Sequence, residues 1–255
     1  ELGIRPALCI GVSGGSWNAA AVAVHAEKRL RFYWKSFARM PHFDFRNILR
    51  EHSPYTFPAM HARTFARYVG GRDRIRAPES LPLFIGVTRL RDHTFEAIDA
   101  RQVDDPLQLM LASNYVPPFY THAPRVNGER YGDGGTTNNV PYEKAFAEGC
   151  DAVVLINLKG ISEGGLYRNP QDFDHEIHSS FRDRVVVIRP RHRVPFGFTE
   201  SRWSRFQEMI QLGYLRGREV LLGEQHPETD LRARRVSPSI AILRTARRVK
   251  AAVGF

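Results

Sequence analysis

The chain has 255 residues, of which 42% are hydrophobic and 25% are charged, a composition ordinary for a globular protein. A chain of this length can bury a substantial core, and it predicts one large domain over residues 1–255 rather than two small ones. No run approaches the ~20 consecutive apolar residues that a membrane span needs. No signal peptide is recognisable at the amino end. We therefore expect a protein that is cytoplasmic or peripheral to a membrane.

The net charge of +10 is distributed unevenly. Residues 182–250 contain 16 Arg or Lys against 7 Asp or Glu, so this basic carboxyl-terminal region carries +9. Such a region can attract anionic lipid head groups, and peripheral contact with an anionic membrane is one interpretation; a solvated, Arg-rich surface is the other. The sequence has no helix-turn-helix signature, zinc-ligand spacing or aromatic-laced basic strand, so no nucleic-acid partner is expected.

The first predicted element is a strand that leads through a glycine-rich turn into a helix. Residues 5–12 form a short apolar run without alternation, the pattern of a strand covered on both faces. The turn is Ser13-Gly14-Gly15, and the Ala-rich residues 16–25 that follow contain no helix breaker. The amino end therefore predicts a strand–turn–helix unit.

The remainder of the chain alternates strands with helices. Prolines and glycines interrupt residues 41–80, which yield no clear assignment. Residues 81–88 have a strand pattern with an alternating hairpin partner at 94–99, and an Asp-Asp-Pro start predicts a helix over 107–113. The later predicted elements are a helix at 141–148, a strand at 151–158, a loop at 160–180, a strand at 185–188 and helices at 200–222 and 239–249. This order predicts an α/β fold with a mainly parallel central sheet.

The turn after the first strand carries a candidate nucleophile. Residues 11–15 match the G-x-S-x-G nucleophile elbow, in the strand-to-helix setting that this motif requires. A serine on such a tight turn takes a strained backbone, and flanking glycines remove Cβ clashes. The helix that follows directs its positive amino end toward the site, so the backbone N–H of Gly14 is the natural donor to a developing oxyanion.

A second segment, residues 131–141, reads Tyr-Gly-Asp-Gly-Gly-Thr-Thr-Asn-Asn-Val-Pro. By itself Asp-Gly-Gly is a turn signal. Together with the elbow and two other segments, however, it resembles the patatin-like phospholipase family. The resemblance is carried, in family order between residues 2 and 158, by the elbow with its trailing Asn18-Ala19, the strand 81–88, the segment 111–119 and the block 131–141.

The resemblance implies a three-layer α/β/α domain with a catalytic dyad. Ser13 would attack an ester carbonyl and form an acyl-enzyme, and Asp133 would accept its proton directly, without an intervening histidine. The glycines implied for the oxyanion site and its motifs are Gly11, Gly14, Gly15, Gly134 and Gly135. The implied activity is hydrolysis of carboxylic esters of lipids, as by a phospholipase A, a lysophospholipase or a lipase-type esterase. The oligomeric state is left open.

One departure from the family keeps an alternative open. The family carries a glycine-rich loop with a basic residue, some tens of residues before the nucleophile, that supplies oxyanion donors. Only 12 residues precede Ser13, so this loop region is absent from the chain as given. Loss of one oxyanion donor typically lowers kcat by ~10²–10³-fold. A catalytically silent member that binds lipid or a partner is therefore an alternative.

A second alternative is an α/β-hydrolase with a serine–acid–histidine triad. Its candidates would be Ser13, Asp133 and one of His175, His178 and His192. That fold places several strands before its nucleophile, whereas one strand precedes Ser13 here.

Neither a disulfide framework nor a metal site is expected. Cys9 and Cys150 each lie beside an apolar run, which indicates buried free thiols. The acidic and histidine residues between 172 and 178 match no strong metal-ligand spacing: they are Asp172, Asp174, His175, Glu176 and His178. We expect no metal and no cofactor.

Overall fold

The computed structural model describes residues 3–117, 119–167, 176–194 and 200–230. Its backbone packs into two compact units, Glu1–Cys150 and Asp151–Phe255. The first unit contains a five-stranded sheet and the second a separate two-stranded sheet. The single domain over residues 1–255 that the length suggests stays a prediction.

The first unit contains five strands and seven α-helices within the described residues. The strands are β1 (Cys9–Val12), β2 (Leu83–Arg89), β3 (Thr94–Asp99), β4 (Arg125–Val126) and β5 (Glu129–Asp133). The helices are α1 (Gly14–Ala23), α2 (Leu30–Arg39), α3 (Asn47–Glu51), α4 (Phe57–Thr64), α5 (Gly71–Arg76), α6 (Pro106–Ser113) and α7 (Tyr142–Ala147). The predicted strands at 81–88 and 94–99 and the predicted helix at 107–113 are confirmed, and residues 41–80 are largely helical.

The sheet of the first unit is mixed. Strand β1 pairs with β2 in parallel, whereas β2–β3, β2–β5 and β4–β5 are antiparallel. The α/β class is thus shown, and strands with covering helices are consistent with a three-layer α/β/α arrangement. The sheet is not mainly parallel, because two of its connections are short hairpins, which force neighbouring strands to run in opposite directions.

The register of the sheet brings two strand ends together on one edge of β2. Strand β3 pairs with β2 over residues 84–89, so it occupies one whole edge. On the other edge, β1 ends with Val12 opposite Gly86, while β5 approaches from the opposite direction and ends with Asp133 opposite Val87. The carboxyl ends of β1 and β5 therefore meet head to head at neighbouring residues of β2.

The β4–β5 hairpin was not predicted from the sequence. Its two-residue connection is Asn127-Gly128, and both residues have positive φ angles, 49° and 86°. A turn with positive φ at both positions matches the twist of paired strands, and Asn-Gly is its preferred sequence. The dipeptide was therefore a usable signal for the strand that ends in Asp133.

Helix α1 is packed into the core of the first unit. Trp17 is completely buried and its ring stacks on that of His61 in α4, with ring centroids 4.3 Å apart and planes within 3°. Burial lowers the pKa of His61 to about 3, and the neighbouring His42 contributes in the same direction. His61 is therefore held as a neutral ring beneath the helix that follows Ser13.

The second unit contains strands β6 (Val153–Ile156) and β7 (Val185–Ile188), which pair in parallel, and helix α8 (Trp203–Leu222). These elements confirm the predicted strands and helix, with α8 beginning three residues later than predicted. The predicted helix at 239–249 lies outside the described residues. Within the described part of the chain, no helix has both the length and the hydrophobicity needed to cross a membrane.

Candidate active site

The strand–turn–helix unit predicted from the sequence is present around Ser13. Strand β1 ends at Val12, helix α1 begins at Gly14, and Ser13 between them has φ 53° and ψ −134°. This combination is sparsely populated for a residue with a side chain, so the backbone at Ser13 is strained. A Cβ on Gly11 would lie 2.6 Å from the Cα of Ser16. Glycine at position 11 is therefore needed for the helix to return over the strand.

Hydrogen bonds on both sides of Ser13 hold this backbone in place. The Ser13 N–H donates to the hydroxyl of Ser113 at 2.8 Å, and that hydroxyl donates to the carbonyl oxygen of Gly86 at 2.7 Å. The Ser13 carbonyl oxygen accepts from the Ser16 hydroxyl at 2.6 Å and from the Asn114 side-chain amide at 3.1 Å. The end of helix α6 thus supports the turn through hydrogen bonds to both the N–H and the carbonyl of Ser13.

The side chains of Ser13 and Asp133 form a direct hydrogen bond. The Ser13 hydroxyl donates to Oδ2 of Asp133 at 2.6 Å, although 120 positions separate the two residues. The second carboxylate oxygen, Oδ1, accepts the backbone N–H of Gly135 at 2.7 Å. Asp133 is only 6% exposed, so the carboxylate is desolvated and oriented by both of these donors.

The backbone of Asp133 is attached firmly to strand β2. Its carbonyl oxygen accepts from the hydroxyls of Thr88 at 2.9 Å and Thr136 at 2.7 Å. A Cβ on Gly134 would overlap the backbone of Gly86 and would lie 2.8 Å from the nitrogen of Val87. Glycine at position 134 therefore permits the end of β5 to approach β2 closely enough for its carboxylate to reach Ser13.

The first turn of α1 leaves open space next to the serine. The Ser16 N–H closes onto the Ser13 carbonyl at 2.9 Å, which is the first hydrogen bond of the turn. A Cβ on Gly14 or on Gly15 would meet no atom within 4 Å. Backbone N–H groups at a helix start lack intrahelical acceptors and lie at the positive end of the helix dipole. This turn can therefore donate to an anionic oxygen.

A family model described as patatin-like phospholipase matches residues 1–146, more than half of the chain. The chain belongs to the patatin-like phospholipase family. The resemblance predicted from the sequence is thereby confirmed, and the matched residues include the elbow, Asp133 and every strand of the five-stranded sheet. Members of this family are generally hydrolases of lipid esters. A search of curated proteins found no match to the chain.

Sequence reasoning did not assign a role to several residues that surround the dyad. Ser113 and Asn114 fall within a segment that resembles the patatin-like family, but their contacts with Ser13 are made across about a hundred positions. Tyr120 is buried, and its hydroxyl has no hydrogen-bond partner among the described residues. Burial, together with the negative charge of Asp133, raises the pKa of Tyr120 well above its ordinary value. Tyr120 is therefore a neutral phenol at neutral pH.

Two of the three histidines considered for a triad have identified partners, and the third lies outside the described residues. The Ser13 hydroxyl donates directly to a carboxylate, so no imidazole lies between the two groups. In the second unit, His178 Nδ1 lies 2.7 Å from the hydroxyl of Ser180, and His192 Nε2 lies 2.7 Å from Asp230. His175 lies outside the described residues. Ser13 and Asp133, the two residues that the patatin-like resemblance implies for a dyad, are in direct hydrogen-bond contact.

The cysteines and the acidic and histidine residues between 172 and 178 were the other residues considered for chemistry. Both cysteines are free, and burial raises the pKa of the Cys9 thiol to about 11. A thiol with so high a pKa is a poor nucleophile at neutral pH. Asp172 and Asp174 lie outside the described residues. Among the residues that are described, no three histidine, cysteine or acidic side chains form a group that could hold a metal ion.

Proposed function

We propose that this protein is a serine acyl hydrolase that cleaves carboxylic esters of lipids through a Ser13–Asp133 dyad and an acyl-enzyme. The observation that carries the proposal is the 2.6 Å hydrogen bond from the Ser13 hydroxyl to the buried Asp133 carboxylate. Membership of a family of lipid-ester hydrolases supplies the substrate class. Phospholipase A, lysophospholipase and lipase-type activities all use this chemistry.

In the acylation step, the oxygen of Ser13 attacks the ester carbonyl carbon. Its proton passes to Oδ2 of Asp133 along the existing hydrogen bond. A carboxylate is a weak base, with a reference pKa of ~3.9, so proton transfer must accompany bond formation rather than precede it. The Gly135 N–H on Oδ1 keeps the carboxylate oriented while it takes up the proton.

The negative charge that develops on the carbonyl oxygen requires donors. We assign the backbone N–H of Gly14, at the amino end of α1, to this role, since it follows the nucleophile directly and the space beside it is open. Collapse of the tetrahedral intermediate expels the alcohol, which takes the proton from Asp133. The acyl group then remains on the oxygen of Ser13.

Deacylation reverses these roles with water as the nucleophile. Water attacks the acyl-enzyme carbonyl and gives its proton to the Asp133 carboxylate. The second tetrahedral intermediate collapses, the Ser13 oxygen recovers the proton from Asp133, and the fatty acid leaves. One carboxylate therefore serves both half-reactions, which requires that it stay fixed relative to the serine.

Labelling with a fluorophosphonate tests the nucleophile. We expect the wild-type protein to be labelled and Ser13→Ala to lose labelling, while the exposed Ser162→Ala retains it. Equal labelling of wild type and Ser13→Ala would reject Ser13 as the nucleophile. An absence of labelling and of ester turnover in the folded wild-type protein would favour the silent, lipid-binding alternative.

Peripheral contact with an anionic membrane through the basic carboxyl-terminal region, residues 182–250, is a further part of the proposal. Within its described part, several arginines already have acidic partners, in the pairs Arg182–Glu176, Arg191–Glu219, Arg202–Glu200 and Arg205–Glu208. The unbalanced charge therefore lies mainly in residues 231–250, which have seven Arg or Lys and no acidic residue. If vesicle binding were insensitive to salt and to Ala substitution of Arg244, Arg247 and Arg248, this contact would be excluded.

A further inference from the structure

The first unit exposes a concentrated group of large apolar side chains on residues 43–46 and at the start of the short helix α3 that follows; we call residues 43–49 the apolar loop. Among the described residues of that unit, six large hydrophobic side chains are exposed, and four of them lie in this loop: Phe43, Phe45, Ile48 and Leu49. Leu49 is 89% exposed and Phe45 is 76% exposed. Single exposed apolar residues are ordinary, but a cluster of this kind usually marks an interaction surface.

Hydrogen bonds within the loop and to the adjacent strand-like segment hold these side chains outward. The Asp44 N–H donates to the carbonyl of Pro54 at 2.8 Å, and the Arg46 N–H donates to the Asp44 carboxylate at 3.0 Å. Phe43 forms an isolated antiparallel bridge with Tyr55, and their rings lie 4.8 Å apart. The apolar side chains are therefore presented by an ordered loop that is anchored at its base.

The chain segment that contains the apolar loop is strongly basic, which favours an anionic partner. Residues 27–50 contain seven Arg or Lys against two Asp or Glu, a net charge of +5. Arg39 and Arg46 are exposed near the apolar side chains. Exposed aromatic and leucine side chains flanked by arginines are the composition of surfaces that insert shallowly into the interface of an anionic bilayer.

A continuous series of ring contacts leads from the loop into the core of the first unit. Phe43 contacts Tyr55, the ring of Tyr55 lies 4.7 Å from that of Phe119, and Phe119 lies 5.7 Å from Phe57. Phe57 in turn stacks on Tyr120 at 6.5 Å. Phe57 and Tyr120 are both buried. Aromatic side chains therefore anchor the exposed loop to the core of the first unit.

We propose that the apolar loop is a membrane-binding surface, which places Phe45 and Leu49 in the interface of an anionic phospholipid bilayer and Arg39 and Arg46 among its head groups. The aromatic series behind the loop anchors this surface to the core of the first unit. This inference rests on the proposed function for its lipid substrate. It concerns a surface of the first unit that is distinct from the basic carboxyl-terminal region.

Vesicle flotation with the full chain tests the loop directly. The vesicles contain equal parts of phosphatidylcholine and phosphatidylglycerol, with pure phosphatidylcholine for comparison. We expect the double variant Phe45→Ser, Leu49→Ser to bind mixed vesicles at least about 10-fold more weakly, because two large apolar side chains no longer leave water. The matched control is Ile156→Ser, Leu158→Ser, which removes two exposed apolar side chains from the second unit and should bind as wild type does.

A charge variant and a soluble substrate complete the test. Arg39→Glu, Arg46→Glu should weaken binding to the mixed vesicles and leave binding to pure phosphatidylcholine unchanged. Hydrolysis of p-nitrophenyl butyrate, a soluble ester, should be the same in the loop variant and in wild type. The two proposals can fail separately. If the Phe45, Leu49 variant loses vesicle binding but no protein, wild type included, is labelled by the fluorophosphonate, the membrane-binding surface is supported and the hydrolase proposal is rejected.

Three results would overturn the inference. The first is equal vesicle binding by wild type and by the Phe45, Leu49 variant. The second is a wild-type protein that hydrolyses the soluble ester but binds no vesicles, which would leave the proposed function in place. The third is a dimer, detected by sedimentation velocity, that the loop variant abolishes while vesicle binding is retained, because a second copy of the chain would then be the occupant.

Discussion

The hydroxyl of Ser113 accepts the backbone N–H of Ser13 at 2.8 Å and donates to the carbonyl of Gly86 at 2.7 Å. One small side chain on α6 therefore joins the strained turn after β1 to the central strand β2. Strained backbone persists only where its surroundings hold it, at a cost of about 1–3 kcal/mol per residue. Ser113 is thus a positioning residue for the proposed nucleophile.

Replacing Ser113 with Ala should reduce reactivity more than substrate affinity. The Ser13 N–H and the Gly86 carbonyl would both lose their partner, which we expect to lower the free energy of unfolding by about 1–3 kcal/mol. We expect kcat for a soluble ester, and the rate of fluorophosphonate labelling, to fall about 10–100-fold with KM nearly unchanged, since misplacement of a reacting group lowers rates by this order. The exposed Ser162→Ala is the control. A wild-type labelling rate in Ser113→Ala would contradict the positioning role.

Asp133→Asn should nearly abolish turnover without unfolding the protein. The amide has one oxygen in place of two, so it can still accept the N–H of Gly135, but it then presents to the Ser13 hydroxyl an NH2 group that cannot take up a proton. General base catalysis contributes ~10²–10⁴-fold, so we expect kcat for p-nitrophenyl butyrate to fall within that range. His178→Ala and His192→Ala should retain the wild-type rate. A large loss of turnover in either histidine variant would favour the serine–acid–histidine triad.

Two glycines of the elbow should respond differently to substitution by Ala. At Gly11 the new Cβ would lie 2.6 Å from the Cα of Ser16 and 2.8 Å from the Cβ of Ala19, so strand and helix must separate. We expect a loss of about 1–3 kcal/mol in the free energy of unfolding, the usual cost of overpacking. Gly15→Ala meets no atom within 4 Å and lies in a helix, so it should be neutral or stabilising by up to about 1 kcal/mol. Urea titration compares the two variants.

His61 should make stability depend on pH between about 6.5 and 5. In the folded protein its pKa is lowered to about 3 by burial and by His42, while in the unfolded chain it takes up a proton below its ordinary value of ~6.5. The unfolded state therefore binds more protons as the pH falls, and the free energy of unfolding should decrease by up to about 1.4 kcal/mol per pH unit.

The matched variants for this effect are His61→Gln and the exposed His93→Gln. Urea unfolding at pH 7, 6 and 5 should give a flatter dependence for His61→Gln than for wild type and an unchanged dependence for His93→Gln. The comparison uses slopes, because loss of the 4.3 Å stack on Trp17 will also lower stability at every pH. Parallel slopes in all three proteins would contradict a neutral, buried His61.

The strand–turn–helix unit around Ser13 could be predicted because its signals are local. An apolar run, three small residues and an alanine-rich segment follow one another within a few turns of chain. The partner of Ser13 could not be found in that way: Asp133 lies 120 positions away, and Asp-Gly-Gly alone indicates only a turn. The pairing was predicted from family resemblance, and in the structure the two side chains are in contact.

The supporting residues were not predictable for a different reason. Serine and asparagine are common at helix ends, so nothing local distinguishes Ser113 and Asn114, whose role depends on a long-range approach of α6 to β1. The mixed sheet was not predicted, because the direction of β5 is set by the Asn127-Gly128 turn and this turn was not assigned as a hairpin from the sequence. Residues 41–80 form short helices between prolines, where periodicity is too brief to be recognised.

Because β1 and β5 meet end to end along β2, the register of β2 sets the distance between Ser13 and Asp133. Val12 pairs with Gly86 and Asp133 pairs with Val87, its neighbour in β2. One residue inserted between Gly86 and Val87 would move the Ser13 hydroxyl and the Asp133 carboxylate apart by about 3.3 Å, too far for a direct hydrogen bond. The lengths of the connecting loops do not enter this spacing. An insertion in those loops therefore leaves the Ser13–Asp133 distance unchanged, whereas an insertion within β2 increases it.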